Sequence, residues 1–98
     1  MEVSISPGTA KGKKWKAVFF KNGKKVKTTQ FGAAGMSDYT IHKDIKRKER
    51  YLNRHKTTEN WDNFMTAGSL SRYILWNKKT LKASINDYIK KFKLKLKK

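Results

Sequence analysis

Three arginines in the middle of the chain are spaced for binding phosphate. Arg47, Arg50 and Arg54 follow one another at intervals of three and four residues, so on a helix they form a single row. A guanidinium group can donate two parallel hydrogen bonds to a phosphate, whereas a lysine ammonium acts as a point charge. We therefore predict that this row clamps a phosphate backbone.

The histidines and acidic residues offer a different chemistry. His42 and His55 are 13 residues apart, neither has a histidine four positions away, and the chain has no cysteine, so a zinc site is disfavoured. A small metal-dependent nuclease would need a cluster such as Asp38, Tyr39, His42 and Glu49. Asp38 is better explained as a helix cap, and Glu49 as an ion-pair partner within a basic helix. We expect no enzyme activity, no cofactor and no metal, with the nuclease as the least favoured alternative.

The net charge restricts the kind of partner that the chain can bind. The sequence has 25 Lys and Arg against 7 Asp and Glu, which gives +18 on 98 residues. A compact domain with this charge repels itself and loses stability unless a polyanion neutralises it. Nucleic acid is the commonest polyanion, and each phosphate contact releases condensed counterions. An anionic membrane or an acidic protein would satisfy charge alone, so charge gives the sign of the partner and not its identity.

The basic residues are concentrated in particular segments. Eight of the 17 residues from Lys11 to Lys27 are basic, and none is acidic. The basic residues around Arg50 are offset only by Glu49. Solubility does not require this imbalance, which favours phosphate contact. The positions that we predict to contact nucleic acid are Lys16, Lys25, Lys27, His42, Lys43, Lys46, Arg47, Arg50, Arg54, Arg72, Lys78, Lys79, Lys82 and Lys90.

Length and hydropathy favour one small intracellular domain. A chain of 98 residues can bury a real but small core. No apolar run approaches the ~20 residues that cross a bilayer, and the first residues lack the apolar segment of a secretory signal. The terminal KKFKLKLKK alternates with period two, which favours a lysine tail on a polyanion over an amphipathic membrane helix. We expect no membrane partner and no small-molecule substrate.

The clearest local structure is a β-hairpin around Asn22-Gly23. This dipeptide is the strongest two-residue turn signal, because both turn positions need positive φ. A two-residue turn predicts one face with Phe19 and Val26 together with Trp15, Ala17 and Thr28. The other face is then mostly basic and carries Lys16, Val18, Phe20, Lys25, Lys27 and Thr29.

Helical patterns fill the remainder of the chain. A helix capped by Ser37 or Asp38, with a restart at Asp44, places Ile41, Ile45 and Leu52 on its apolar side. A short helix follows Thr66, and the last helix begins after Thr80. The spacing of these final two resembles a helix-turn-helix. We predict an α+β fold in which an N-terminal β-hairpin precedes about three short helices, with a disordered tail over 1–13, a basic domain over 14–93 and a lysine-rich tail over 94–98.

The sequence resembles the dinoflagellate/viral nucleoproteins over about residues 14–92. The resemblance lies in GKKVKTTQFGAAGMSDYTIHKDIKRKERYLNRHK, ENW and MTAGSLSRYILWNKKTLKASINDYIKKF, of which the FGAxG-SDYTxHKD and TAG…LWNK-T runs are the most specific. The short segment before Lys14 is more similar to the viral members, because dinoflagellate members carry longer basic tails. The chain lacks the prolines expected near Phe64 and Lys79, which concerns loop geometry more than function.

The resemblance implies sequence-tolerant binding and packaging of double-stranded DNA in a histone-like role. A virion or a host nucleus is then the expected location. Composition leaves two other classes open, namely a sequence-specific DNA-binding regulator that uses the last two helices, and an RNA-binding protein. The sequence does not determine the oligomeric state.

Overall fold

The secondary structure consists of short strands and short helices. The computed structural model describes residues 1–97, and its strands are β1 (Glu2–Pro7), β2 (Lys13–Lys21), β3 (Lys24–Ala33) and β4 (Lys95–Leu96). The helices are α1 (Tyr39–His42), α2 (Ile45–His55), α3 (Ala67–Leu70) and α4 (Leu81–Lys91), and a π-helical segment at Ser71–Leu75 continues α3. The predicted α+β class is confirmed. None of the described helices is long and apolar enough to cross a membrane.

The four strands form one sheet in the order β3–β2–β1–β4. β1 and β3 both run antiparallel to β2, and β4 runs parallel to β1. The hairpin prediction is confirmed, since Asn22 and Gly23 have φ values of 53° and 79° between paired Lys21 and Lys24. A turn with positive φ at both positions matches the right-handed twist of the strands that it joins.

A β-bulge changes the predicted faces of the hairpin. The register shifts between Phe19 and Phe20, so that Phe19 lies opposite Lys27 and Val26 has no partner. Val26 is 50% exposed, whereas Thr29 and Phe31 are buried. The prediction that Val26 and Thr28 share the apolar face is therefore wrong, because one extra residue in β3 exchanges its faces beyond the bulge.

The prediction of a disordered tail over residues 1–13 is also wrong. β1 pairs with β2 from Glu2–Phe20 to Pro7–Trp15, and Val3 is fully buried. The segment EVSISP alternates in polarity, which is the pattern of a half-buried strand, although Pro7 and Gly8 obscure it. The predicted tail over 94–98 is ordered at its start, since Leu94 is buried and Lys95–Leu96 pair with β1. Its last residue, Lys98, lies outside the described residues.

One face of the sheet is covered by helices and forms the core. We call this the inner face, and α3, the π-helical segment and α4 pack against it. The hydroxyl group of Tyr88, which is fully buried in α4, donates a hydrogen bond to the Phe64 carbonyl. This bond satisfies the polar end of the largest buried side chain. The buried apolar residues are Val3, Ala17, Phe19, Phe31, Leu70, Ile74, Leu75, Tyr88 and Leu94.

Polar side chains begin the helices where the sequence indicates. Asp38 accepts a hydrogen bond from the Thr40 amide, and Asp44 accepts bonds from the amides of Lys46 and Arg47. Between them Lys43 adopts a left-handed φ of 55°, which separates α1 from α2. The Thr80 hydroxyl caps α4 through the Ala83 amide at 3.1 Å. Caps of this kind stabilise a helix by about 1 kcal/mol.

We expect β1 to be part of the folded core. Replacing the buried Val3 with alanine should lower the free energy of unfolding by about 2 kcal/mol, because two methyl groups leave the core and a cavity remains. Urea denaturation followed by circular dichroism measures this change. The matched control is Ser4→Ala on the outer face of the same strand, which should change stability by less than about 0.5 kcal/mol. Equal, small effects of both substitutions would contradict the pairing of β1.

Candidate nucleic-acid interface

The predicted arginine row is exposed along one side of α2. Arg47, Arg50 and Arg54 are all exposed, and no carboxylate within residues 1–97 lies within 4.0 Å of them. They line a shallow groove of about 190 Å³ together with Tyr51 and Trp76. Three guanidinium groups thus converge on one concave surface with an aromatic wall. Such a surface can hold a phosphate and the sugar attached to it.

Three stacked rings and a fourth that is tilted against them hold α2 against the rest of the protein. The Tyr51 ring lies parallel to the Trp76 ring, with an interplanar angle of 3° and centroids 4.3 Å apart. The His55 ring stacks on the other face of Tyr51, with ring centroids 4.3 Å apart. The His42 ring contacts Trp76, with ring centroids 5.3 Å apart. We call His42, Trp76, Tyr51 and His55 the ring column. Because both faces of Tyr51 are occupied, the column supports the arginine row and leaves no free face on Tyr51 for a base.

This orientation of α2 differs from the prediction. Ile41 and Ile45 are 61% and 50% exposed, and α2 has no buried residue, so their assignment to the core is wrong. The side of α2 that faces the protein carries Lys48, Tyr51 and His55. The Lys48 ammonium donates to the Asn77 carbonyl at 2.7 Å and lies 5.1 Å from the centre of the Tyr39 ring. Stacking and these cation contacts replace aliphatic burial at this junction.

Trp76 reaches α2 because of the wide helical turn that precedes it. Its amide donates to the Ser71 carbonyl at 3.0 Å, which closes the π-helical segment Ser71–Leu75. A π-helical turn adds one residue to the turn and is frequent at functional sites. Ile74 and Leu75 are buried on the inner face, while Trp76, the next residue, turns toward α2.

Burial alters the protonation of several groups near the column. Burial, and then the negative charge of Glu59, raises the pKa of Tyr51 to about 12, so its hydroxyl stays protonated at neutral pH. Burial also lowers the pKa of Lys48 and of Arg72. Burial, and then the nearby Arg47, lowers the pKa of His42. His42 is therefore neutral at pH 7 and would not meet a phosphate as a cation.

Asp38 and Glu59, which line the cavity beside the arginine row, are engaged in structural contacts, whereas Glu49 is exposed and, within residues 1–97, forms no ion pair of the kind that the sequence predicts. A cavity of about 410 Å³ lies between the end of β3, α2 and α3. At its border Lys14 pairs with the buried Asp38 at 2.7 Å. Glu59 contacts His55 Nδ1 at 3.1 Å and accepts a hydrogen bond from the Trp61 indole at 2.9 Å. These carboxylates are therefore occupied by the protein itself.

The remaining cations are not balanced by acids. Within residues 1–97, Lys14 is the only Lys or Arg whose side chain lies within 4.0 Å of a carboxylate. Most of the other Lys and Arg side chains are exposed. Over the same part of the chain, no group of three or more His, Asp or Glu residues is placed to hold a metal ion.

The predicted contact residues fall into three groups in the structure. Lys16, Lys25 and Lys27 belong to the hairpin, where Lys16 is half-buried and the other two are exposed. The second group surrounds α2 and consists of His42, Lys43, Lys46, Arg47, Arg50 and Arg54. The third group, around the start and along the exposed side of α4, consists of Arg72, Lys78, Lys79, Lys82 and Lys90. Only Arg72 of this third group is half-buried, with its guanidinium 4.9 Å from the centre of the Tyr73 ring.

Sequence reasoning did not assign Tyr51 and Trp76 to the interface. Lys48, Tyr51 and His55 recur at three and four residues, which is the signal of one helical face. The aliphatic Ile41 and Ile45 gave a competing pattern, and aliphatic residues are the usual sign of a buried face. Nothing local in the sequence indicates that Trp76 stacks on α2.

Comparison with known proteins places the chain in a family without assigning an activity. Residues 3–55 of this protein match the family described as "Family of unknown function (DUF5754)". Because the match covers more than half of the chain, the protein belongs to this family. No curated protein and no solved structure matches it.

We expect the ring column to control the attachment of α2. An isolated helix of 11 residues is marginal in water, so α2 depends on its tertiary contacts. Tyr51→Ala should raise amide hydrogen exchange in α2 by more than tenfold, because stacking and burial worth about 2 kcal/mol are lost. Exchange in β2 and β3 should stay unchanged. Tyr51→Phe retains the ring and should exchange like the original protein, and fast exchange in both variants would contradict the role of stacking.

We also expect His42 to be neutral, with its proton on Nε2. Its Nδ1 accepts the Asp44 amide at 3.0 Å, which leaves Nε2 to carry the hydrogen in the neutral ring. Because the pKa is lowered, the titration midpoint should fall below the ordinary value of about 6.5. Stability should then decrease as the pH falls below about 6.5, since the unfolded chain gains a proton more readily. Nitrogen-15 chemical shifts of the ring report both properties, and a midpoint above 7 would contradict the assignment.

Proposed function

We propose that this protein is a sequence-tolerant, double-stranded DNA-binding nucleoprotein that coats or compacts DNA through its phosphate backbone. The observation that supports this most directly is the arginine row, in which three exposed guanidinium groups line one groove and have no carboxylate partner in the part of the chain that the structure describes. Bidentate guanidinium–phosphate contacts fix a protein on a duplex without reading its sequence. The role is non-enzymatic, and the proposed locations are a virion or a host nucleus.

The charge distribution within α2 supports an anionic ligand. The first turn of α2 contains no acidic residue and carries Lys46, Arg47 and Lys48. The helix dipole is positive at this end, so these cations oppose the stabilisation that the Asp44 cap provides. Phosphate groups close to Arg47 would reverse this penalty. An arrangement that costs stability in the free protein is expected where a polyanion is the normal partner.

The residues that hold the arginine row lie in the runs that resemble the dinoflagellate/viral nucleoproteins. Asp38 and His42 belong to the first run, and Trp76 and Asn77 belong to the second. Asp38 begins α1, whereas His42, Trp76 and Asn77 contact α2 or its ring column. The resemblance therefore concerns residues that position the candidate interface. This supports packaging as the role.

Base-specific reading has less support. The start of α4 is the region that a helix-turn-helix would present to the major groove, and it offers Thr80, Lys82 and Ala83. One lysine supplies little discrimination between bases. Two alternatives remain, namely a regulator that uses α3 and α4 and an RNA-binding protein. Binding measurements distinguish both of them from a packaging protein.

Salt dependence provides the test of backbone binding. If six to ten phosphates are contacted, log affinity should fall with log salt at a slope of roughly −5 to −9, and unrelated duplexes should bind within a few-fold of one another. Replacing Arg47, Arg50 and Arg54 together with glutamine should reduce the magnitude of the slope by about 3, since up to three phosphate contacts are lost. Fluorescence anisotropy with labelled duplexes measures both.

The matched control keeps the charge and removes the guanidinium fork. Lysine at all three positions should retain the slope of the original protein while affinity falls, because each lysine still neutralises one phosphate. One duplex that remains preferred when salt weakens the others would favour the regulator. Strong preference for RNA duplexes over matched DNA would favour the RNA-binding alternative.

A further inference from the structure

A second group of cations surrounds the hairpin turn, at the end of the sheet away from α2. Lys21 and Lys24 flank the turn, and Lys25 lies opposite Phe20. On the β1 side of β2, Glu2 lies opposite Phe20. On the β4 side of β1, Lys95 lies opposite Glu2. These residues form one row across the four strands. We call Phe20 and its neighbouring lysines the turn cluster, whose cations are Lys21, Lys24, Lys25, Lys95 and Lys97.

Phe20, Lys25 and Lys95 of the turn cluster lie on the face of the sheet that no described helix covers, and Lys21 and Lys24 flank the turn at the edge of that face. Phe19 is fully buried on the inner face, so the next residue, Phe20, points outward, where it is only half-buried. The Lys97 ammonium lies 4.9 Å from the centre of the Phe20 ring. A groove of about 380 Å³ opens here, lined by Met1, Glu2, Phe20, Asn22 and Lys95. Glu2 is the one acidic residue in this lining.

The turn cluster and the arginine row are separated by the length of the hairpin. Arg54 lines the same cavity as Lys13 and Ala33, which pair at the base of the hairpin. From Lys13 to Lys21 there are eight residue steps, about 27 Å at ~3.4 Å per residue. The arginine row also lies on the helical side, because α2 stacks on Trp76, whereas Phe20, Lys25 and Lys95 lie on the opposite face of the sheet. The two cation groups therefore point in different directions.

The chemistry of the turn cluster fits a duplex phosphate backbone. Its five cations have no carboxylate within 4.0 Å in the described part of the chain. Lysines act as rotatable point charges, which suit a backbone contact without fixed geometry. Surfaces that bind single strands stack successive bases on several aromatic rings, and this cluster contains one. Duplex DNA is therefore the occupant that the charge and the ring content favour.

We propose that the turn cluster is a second duplex-binding surface, so that one molecule of this protein bridges two DNA duplexes. The inference rests on the proposed function, since the arginine row holds the first duplex. It adds a mechanism for compaction that needs no protein dimer. Bridging by a monomer requires two separate, outward-facing cationic surfaces, and the hairpin holds them at opposite ends.

A two-duplex capture experiment tests this inference. One duplex is fixed on beads, protein is added, and capture of a second, fluorescent duplex is measured at a salt concentration where every variant saturates the first. The turn variant replaces Lys21, Lys24 and Lys25 with glutamine, and the matched row variant replaces Arg47, Arg50 and Arg54 with glutamine. Both lose three positive charges. Each should reduce capture at least tenfold, whereas the turn variant should bind a single duplex with a nearly unchanged salt slope. Circular dichroism checks that both fold.

A mixture of the two variants separates monomer bridging from dimer bridging. If each molecule must carry both surfaces, an equal mixture should not restore capture. Restored capture would show that two molecules bridge together, and it would overturn the inference. Replacing Lys21, Lys24 and Lys25 with arginine keeps their charge and should preserve capture.

Failure of the inference is distinguishable from failure of the proposed function. Normal capture by the turn variant, with normal binding of a single duplex, would overturn bridging and leave backbone binding intact. A second failure is possible, in which the original protein captures no second duplex and both variants show a smaller salt slope on a single duplex. This result would show that both surfaces contact the same duplex, and it would also overturn bridging. Absence of binding to any duplex would refute the proposed function and the inference with it.

Discussion

Burial of a single face of the sheet is the constraint on which the remaining structure depends. A chain of 98 residues with +18 net charge has few apolar side chains to bury, and the helical layer packs most of the buried ones against β1, β2 and β3. Tyr88 lies fully buried in this layer with its hydroxyl group bonded. Because the core occupies one side only, the outer face, the hairpin turn and α2 are left for cations. The charge is thereby spread over surfaces that face different directions, which moderates self-repulsion in the free protein.

The attachment of α2 shows how a basic helix can be held without an aliphatic core. Ile41 of α1 and Ile45 of α2 are exposed, and stacked rings supply the contact instead. A planar stack fixes the rotation of the helix about its axis more closely than aliphatic packing does, because parallel rings tolerate little rotation. The rotation of α2 in turn determines where its three guanidinium groups point. The π-helical segment matters for the same reason, since Trp76, which directly follows it, packs against the core and also stacks on Tyr51.

The family match ends at the same element that carries the arginine row. Residues 3–55 contain β1, β2, β3, α1 and α2, and the helical layer that covers the inner face follows afterwards in the chain. The matched segment therefore includes both surfaces that we propose to bind DNA, apart from Lys95 and Lys97. It does not include Trp76, on which α2 stacks. The interface thus combines cations from the family segment with a support from outside it.

The sequence by itself determined the local features, and its charge predicts a polyanionic partner. The Asn22-Gly23 turn, the caps at Asp38 and Thr80 and the single row of arginines follow from short-range rules, and the structure has each of them. Only the tertiary structure decided which faces are buried. One bulged residue, Val26, exchanged the faces of β3, and the short strand at the N-terminus was recognisable only through its pairing with β2. The stack between Tyr51 and Trp76 joins residues 25 positions apart, and no local pattern encodes such a contact. Charge and turn conformation are local properties of a chain, whereas the burial of a side chain depends on which distant helices and strands pack against it.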